Sequence, residues 1–85
     1  MKIKILKGKN LEDFKLWSIW SCGISEFDWT YNDEEHCFII KGSVTVTSNG
    51  NVVNIEQGDY VIFPKNLSCK WVVHKPIQKY FKFKN

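Results

Sequence analysis

The chain has 85 residues, 44% apolar and 25% charged, with a formal net charge of +3. That length allows one domain, expected over residues 1–85, and the balance excludes a disordered or low-complexity chain. No apolar run approaches the roughly 20 residues that cross a bilayer. No signal-type apolar segment follows the basic start Lys2-Ile3-Lys4-Ile5-Leu6-Lys7 either, so the expectation is a cytoplasmic protein without membrane contact.

In chain order the dominant pattern is period 2, the signature of strands with one buried face. Ile3 and Ile5 alternate with Lys2 and Lys4. One short helical turn is expected at Asn10-Leu11-Glu12-Asp13-Phe14, with Asn10 as its N-cap. Phe27, Trp29 and Tyr31 then alternate with Glu26, Asp28 and Thr30. Lys41-Gly42 separates two strands, and the second of them carries Val44 and Val46 on one face. Asn49-Gly50 is a type I′ hairpin signal between that strand and Val52–Ile55. Gln57-Gly58-Asp59 and Pro64-Lys65-Asn66 break the following strands, and Lys75-Pro76 opens the last one. The sum is eight or nine short strands with tight connections, an all-β sandwich or closed barrel.

A chain this short buries only about 60–65% of its unfolded surface. Four Trp, three Tyr and six Phe meet that constraint with large apolar side chains. The lysines spread over both ends read as solvated strand faces and protected edges, not as a nucleic-acid stripe. Cys22, Cys37 and Cys69 are odd in number and widely spaced, a poor disulfide framework that suits a reducing compartment.

Two spacings reach a known pattern. Gly23, five residues, Trp29-Thr30-Tyr31, three residues, Glu35, six residues and Gly42 follow the frame of the first cupin motif. Gly58, five residues, Pro64-Lys65-Asn66, two residues, Cys69, three residues and Val73 follow the second. The stretches Ser25–Trp29, Glu35–Gly42, Gly58–Pro64 and Leu67–Trp71 resemble the small single-domain cupins of the DUF861, or cupin 3, group. That group includes ureidoglycine aminohydrolase-like domains and is similar to the cupin part of an ethanolamine-utilisation protein. The resemblance implies a small jelly-roll-like antiparallel β-barrel. It also implies that the four metal-ligand positions of the family fall on Trp29, Tyr31, Glu35 and Cys69.

An indole N–H only donates and cannot ligate, and a tyrosine must first lose a proton of pKa about 10. Glu35 and Cys69 alone are an incomplete set. No cofactor is therefore expected, and a divalent metal on Glu35 and Cys69 is the alternative. His36 and His74 fall by parity on the outer face and are not counted as ligands.

The same parity places Glu35, Cys37 and Ile39 inward on one strand, and Cys69, Trp71 and Val73 inward on another. Ile77, Lys79, Phe81 and Phe83 share a face of the last strand. Lys79 is a lone cation there. If it points inward it needs Glu35 as partner; otherwise it reaches out at the rim or is re-aimed by a bulge. The expected pocket comprises Trp29, Tyr31, Glu35, Cys69, Trp71 and Lys79, taking a small polar or cationic metabolite without metal. One alternative is an enzyme on a small nitrogenous metabolite, with Glu35 as acid or base. The other is a structural domain without a pocket, a homodimer joined through edge strands such as residues 2–6.

Overall fold

The computed structural model describes residues 2–84; Met1 and Asn85, the outermost residues of the expected domain, lie outside them. Seven strands follow one another with a single 3₁₀ turn among the described residues. They are β1 (Lys4–Leu6), β2 (Ser18–Cys22), β3 (Ser25–Thr30), β4 (Glu34–Ser48), β5 (Asn51–Glu56), β6 (Tyr60–Phe63) and β7 (Ser68–Lys84). The 3₁₀ turn, Leu11–Phe14, lies where a helical turn was expected, and the Asn10 side chain accepts a hydrogen bond from the Glu12 N–H at 3.0 Å. Its Phe14 ring stacks on Phe38 at 5.0 Å and packs against Tyr60 and Trp17. That small cluster buries Phe38 although it sits on the outer face of β4.

All pairings are antiparallel, in the order β1-β6-β4-β7-β2, with β5 added to β4 and β3 added to β7. The two long strands divide the work. The first half of β4 pairs with β6 and the far end of β7; its second half pairs with β5 and the beginning of β7. The sheet thus folds over on itself, and both halves turn an apolar face inward. Cys37, Ile39, Val44, Val46, Ile55, Val61, Phe63, Leu67, Val73 and Ile77 fill the space between them, burial that supplies most of the driving force for so small a core. This is the all-β, jelly-roll-like barrel that the sequence predicts.

Two boundaries are corrected. The expected breaks at Lys41-Gly42 and Lys75-Pro76 are not strand ends; they are the corner at which β4 and β7 bend together, and this is why seven strands stand where eight or nine were expected. The register shifts between Ile39 and Val44, and no ladder pair falls on Pro76, which has no N–H to donate. Gly42 has φ +97°, and a Cβ there would stand 2.3 Å from the Pro76 carbonyl oxygen. Only glycine fits the corner. Across it the buried side of β4 changes from Glu35, Cys37 and Ile39 to Val44 and Val46, whereas β7 keeps one parity from Cys69 to Lys79.

The other turns are as expected. Asn49 and Gly50 both have positive φ, 49° and 80°, the type I′ requirement. The Gly58-Asp59 turn is held by the buried Asp59 carboxylate, which accepts from the Glu56 N–H and from Lys7. Burial aside, that contact raises the Lys7 pKa, first through the hydrogen bond and then through the charge of Asp59. Strand β1 pairs with β6 of its own chain and ends that side of the strand order, as β2 ends the other. No helix among the described residues is long and apolar enough to cross a membrane.

Candidate functional site

Four strands, β2, β3, β4 and β7, bring the site residues together. Ladder pairing sets Trp29 opposite Cys69 and Phe27 opposite Trp71 on β3 and β7, and Trp20 opposite Lys79 on β2 and β7. Tyr31 follows β3 and is clamped by its backbone: its N–H donates to the Leu67 carbonyl at 2.9 Å, and its carbonyl accepts from the Asn66 N–H at 2.7 Å. Its ring stacks on Phe63 at 4.8 Å, with 10° between the planes. Phe27 lies nearly parallel to Trp71 at 5.9 Å, and Trp20 meets Trp71 edge-on at 6.0 Å.

These residues enclose an open-mouthed cavity of about 470 Å³. Trp29, Tyr31, Glu35, Trp71 and Lys79, five of the six expected pocket residues, line it. Cys69 does not. Its thiol turns to the backbone carbonyl of Trp29 at 3.6 Å, and burial raises its pKa, so it is a small buried residue behind the wall. Sequence reasoning omitted Trp20, Cys22, Phe27, Phe81 and Phe83 from the lining. Phe81 and Phe83 share a face with Lys79 and could have been found by parity. In Ser18-Ile19-Trp20-Ser21-Cys22 two large apolar residues stand side by side, so alternation cannot say which one points in.

Lys79 points inward. It is 5% exposed and donates to both Glu35 oxygens, at 3.1 and 2.9 Å, while Glu35 is 3% exposed. The ammonium also lies 4.8 Å from the Trp71 ring centre, 5.0 Å from Trp20 and 5.9 Å from Phe63. A buried ammonium needs this combination of an opposite charge and aromatic faces. At the mouth, Trp29 is 50% and Phe83 43% exposed. The pocket therefore has an aromatic wall, an aromatic rim and a single ion pair at its floor.

Buried polar groups around the floor are held neutral. Burial above all pushes the Cys37 thiol up to about 12 and raises the Tyr31 pKa further still. The Trp71 indole N–H is buried with no acceptor of good geometry among the described residues. It lies close enough to Tyr31 and Cys69 to offset a small part of their burial.

Comparison with known proteins places this geometry. The EutQ-like cupin domain family matches residues 10–81. The chain belongs to that family. A DUF861 protein from Thermotoga maritima is 40% identical, with 98% of this chain and 100% of that one covered and a TM-score of 0.90. The EutQ protein of Clostridium difficile is 20% identical over 95% of this chain and 67% of its own, at a TM-score of 0.69. A cupin superfamily protein from Desulfitobacterium hafniense is 9% identical over 99% of this chain and 79% of its own, at a TM-score of 0.67, a likeness of fold alone. No curated protein matches the chain.

The four positions where metal cupins hold their ion do not make a donor set in this cupin. Trp29 has no lone pair to give and stands at the rim. Tyr31 is held protonated by burial. Both Glu35 oxygens face an ammonium, and the Cys69 thiol turns away. The histidines do not compensate. His36 lies on the outer face, 2.6 Å from the Tyr60 hydroxyl and 2.7 Å from Glu34, which lowers the Glu34 pKa; His74 lies on the outer face beside Thr45. Among the described residues, no three His, Cys, Asp or Glu side chains cluster as a metal site would require.

Proposed function

We propose that this cupin is a metal-free binding module for a small, flat organic molecule held between the aromatic walls of its barrel. The observation that carries this reading is the cavity of about 470 Å³, lined almost wholly by rings above one buried ion pair. Large apolar lining with a few convergent polar groups is the usual composition of a small-molecule site. The pairing of Glu35 with Lys79 argues against the cationic ligand that a lone carboxylate would favour. It also argues against Glu35 as a free acid or base in a ureidoglycine-type reaction, since its charge is paired with the Lys79 ammonium. The three free cysteines support a reducing, cytoplasmic setting.

Three of the lining residues are tryptophans, so their fluorescence reports occupancy directly. Titration with a panel of aromatic and heteroaromatic metabolites is expected to give saturable quenching that chelation does not alter, with the ligand recovered unchanged in mass. A panel without any saturable member sinks the reading. A stoichiometric metal whose removal abolishes binding, or conversion of the ligand, replaces it with an enzyme.

A homodimer through an edge strand is a second reading, favoured by one observation. Edge strand β2 and its flanks expose Leu16, Ile19 and Ile24. Sedimentation is expected to give twice the chain mass, reduced to a monomer by Ile19→Lys; a monomer in the unmodified protein ends this reading.

A further inference from the structure

The floor of the pocket indicates which class of ligand the walls would receive. Glu35 and Lys79 both line the cavity, and among the described residues each side chain is the other's only hydrogen-bond partner. An ammonium has three N–H bonds, and Glu35 takes at most two of them. Each carboxylate oxygen has two lone pairs, and Lys79 takes one from each. A donor and an acceptor with unused capacity therefore stand side by side, 2.9 Å apart at their nearest atoms, at the base of an aromatic slot.

A charged ligand is poorly served there. A carboxylate that reaches Lys79 also meets Glu35, and an ammonium that reaches Glu35 also meets Lys79. At such short separations the repulsion is screened no better than the attraction. A neutral group with a carbonyl next to an N–H can satisfy both at once: its oxygen accepts from Lys79 and its N–H donates to Glu35. Trp20 and Trp71 stand beside the ammonium, and Phe27 stacks on Trp71, so the rest of the ligand meets ring surfaces. Resting on the binding reading above, we infer that the pocket selects a neutral planar ring bearing a cyclic-amide edge, read by Lys79 and Glu35 together.

Four bicyclic compounds of similar size test this by Trp quenching on the unmodified protein: carbostyril, a cyclic amide; N-methylcarbostyril, the same ring with the donor blocked; naphthoate; and naphthylmethylammonium. Carbostyril is expected to bind about tenfold more tightly than each of the others. In Glu35→Leu/Lys79→Met, which replaces both members of the pair with apolar side chains, this advantage is expected to vanish while the rings still quench. A charged compound that binds as well as carbostyril, a blocked donor that costs nothing, or a preference that persists in the double variant overturns the inference. Equal binding of all four compounds overturns it and leaves the pocket standing. Binding by none of them removes the pocket reading as well. The comparison on the unmodified protein decides the matter whether or not the double variant folds.

Discussion

At the scale of single residues, the pair Glu35–Lys79 sets the character of the interior. Removing one member leaves a buried charge without its partner. Lys79→Met or Glu35→Leu alone is expected to cost about 3–5 kcal/mol, read from urea denaturation midpoints. The double replacement is expected to lie close to the unmodified protein, because apolar side chains of similar volume fill the same space. Equal losses in the single and double variants would mean that packing, not pairing, is what those residues contribute. Cys37 makes a second prediction. Its folded pKa of about 12 lies above the unfolded value of 9.0. The neutral thiol is thus favoured by the fold, and its contribution is intact below about pH 9 and lost as pH rises toward 12, by at most about 1.4 kcal/mol per unit. Tyr31, also raised by burial, adds in the same direction. Denaturation curves taken across this alkaline range should show stability falling, with a shallower fall for Cys37→Ala.

At the scale of elements, the corner where β4 and β7 bend together governs the architecture. Gly42→Ala must place a methyl group against the Pro76 carbonyl at positive φ, and a loss of about 3 kcal/mol or more is expected. Gly50→Ala shares the positive φ but meets nothing within 4 Å, so about 1 kcal/mol is expected. Equal effects in thermal denaturation would remove the close approach from the explanation. The same corner limits what the sequence discloses. Glycine and proline read locally as strand ends, and nothing local says that two such signals 34 residues apart, at Gly42 and Pro76, face each other. Alternation set Trp29, Tyr31, Glu35, Trp71 and Lys79 on faces that line the cavity in the structure. It could not say whether the face of Lys79 turned inward, because Pro76 hides whether the strand resumes in phase. Cys69 shows the opposite limit: its parity was right, yet its thiol turns to the Trp29 carbonyl and does not line the cavity.

At the scale of the whole molecule, the cupin barrel was legible because the motif spacing is kept although the residues at the ligand positions differ from the family pattern. Gly23, Gly42, Gly58 and Pro64 mark turns and corners, and these positions answer to backbone geometry rather than to ligand chemistry. The content of the site was less legible, since it depends on which side chains meet across strands distant in sequence. The long strands β4 and β7 belong to both halves of the barrel, and together they supply the floor of the pocket and much of its wall. The floor of the pocket, Glu35 on β4 and Lys79 on β7, cannot come apart unless the pairing of these two strands opens with it. Amide hydrogens at the centres of these two strands should exchange only through global unfolding. Occupancy and folding then share one equilibrium, and a ligand present at a hundred times its dissociation constant should add about 2.7 kcal/mol, raising the melting temperature by roughly 10–20 °C.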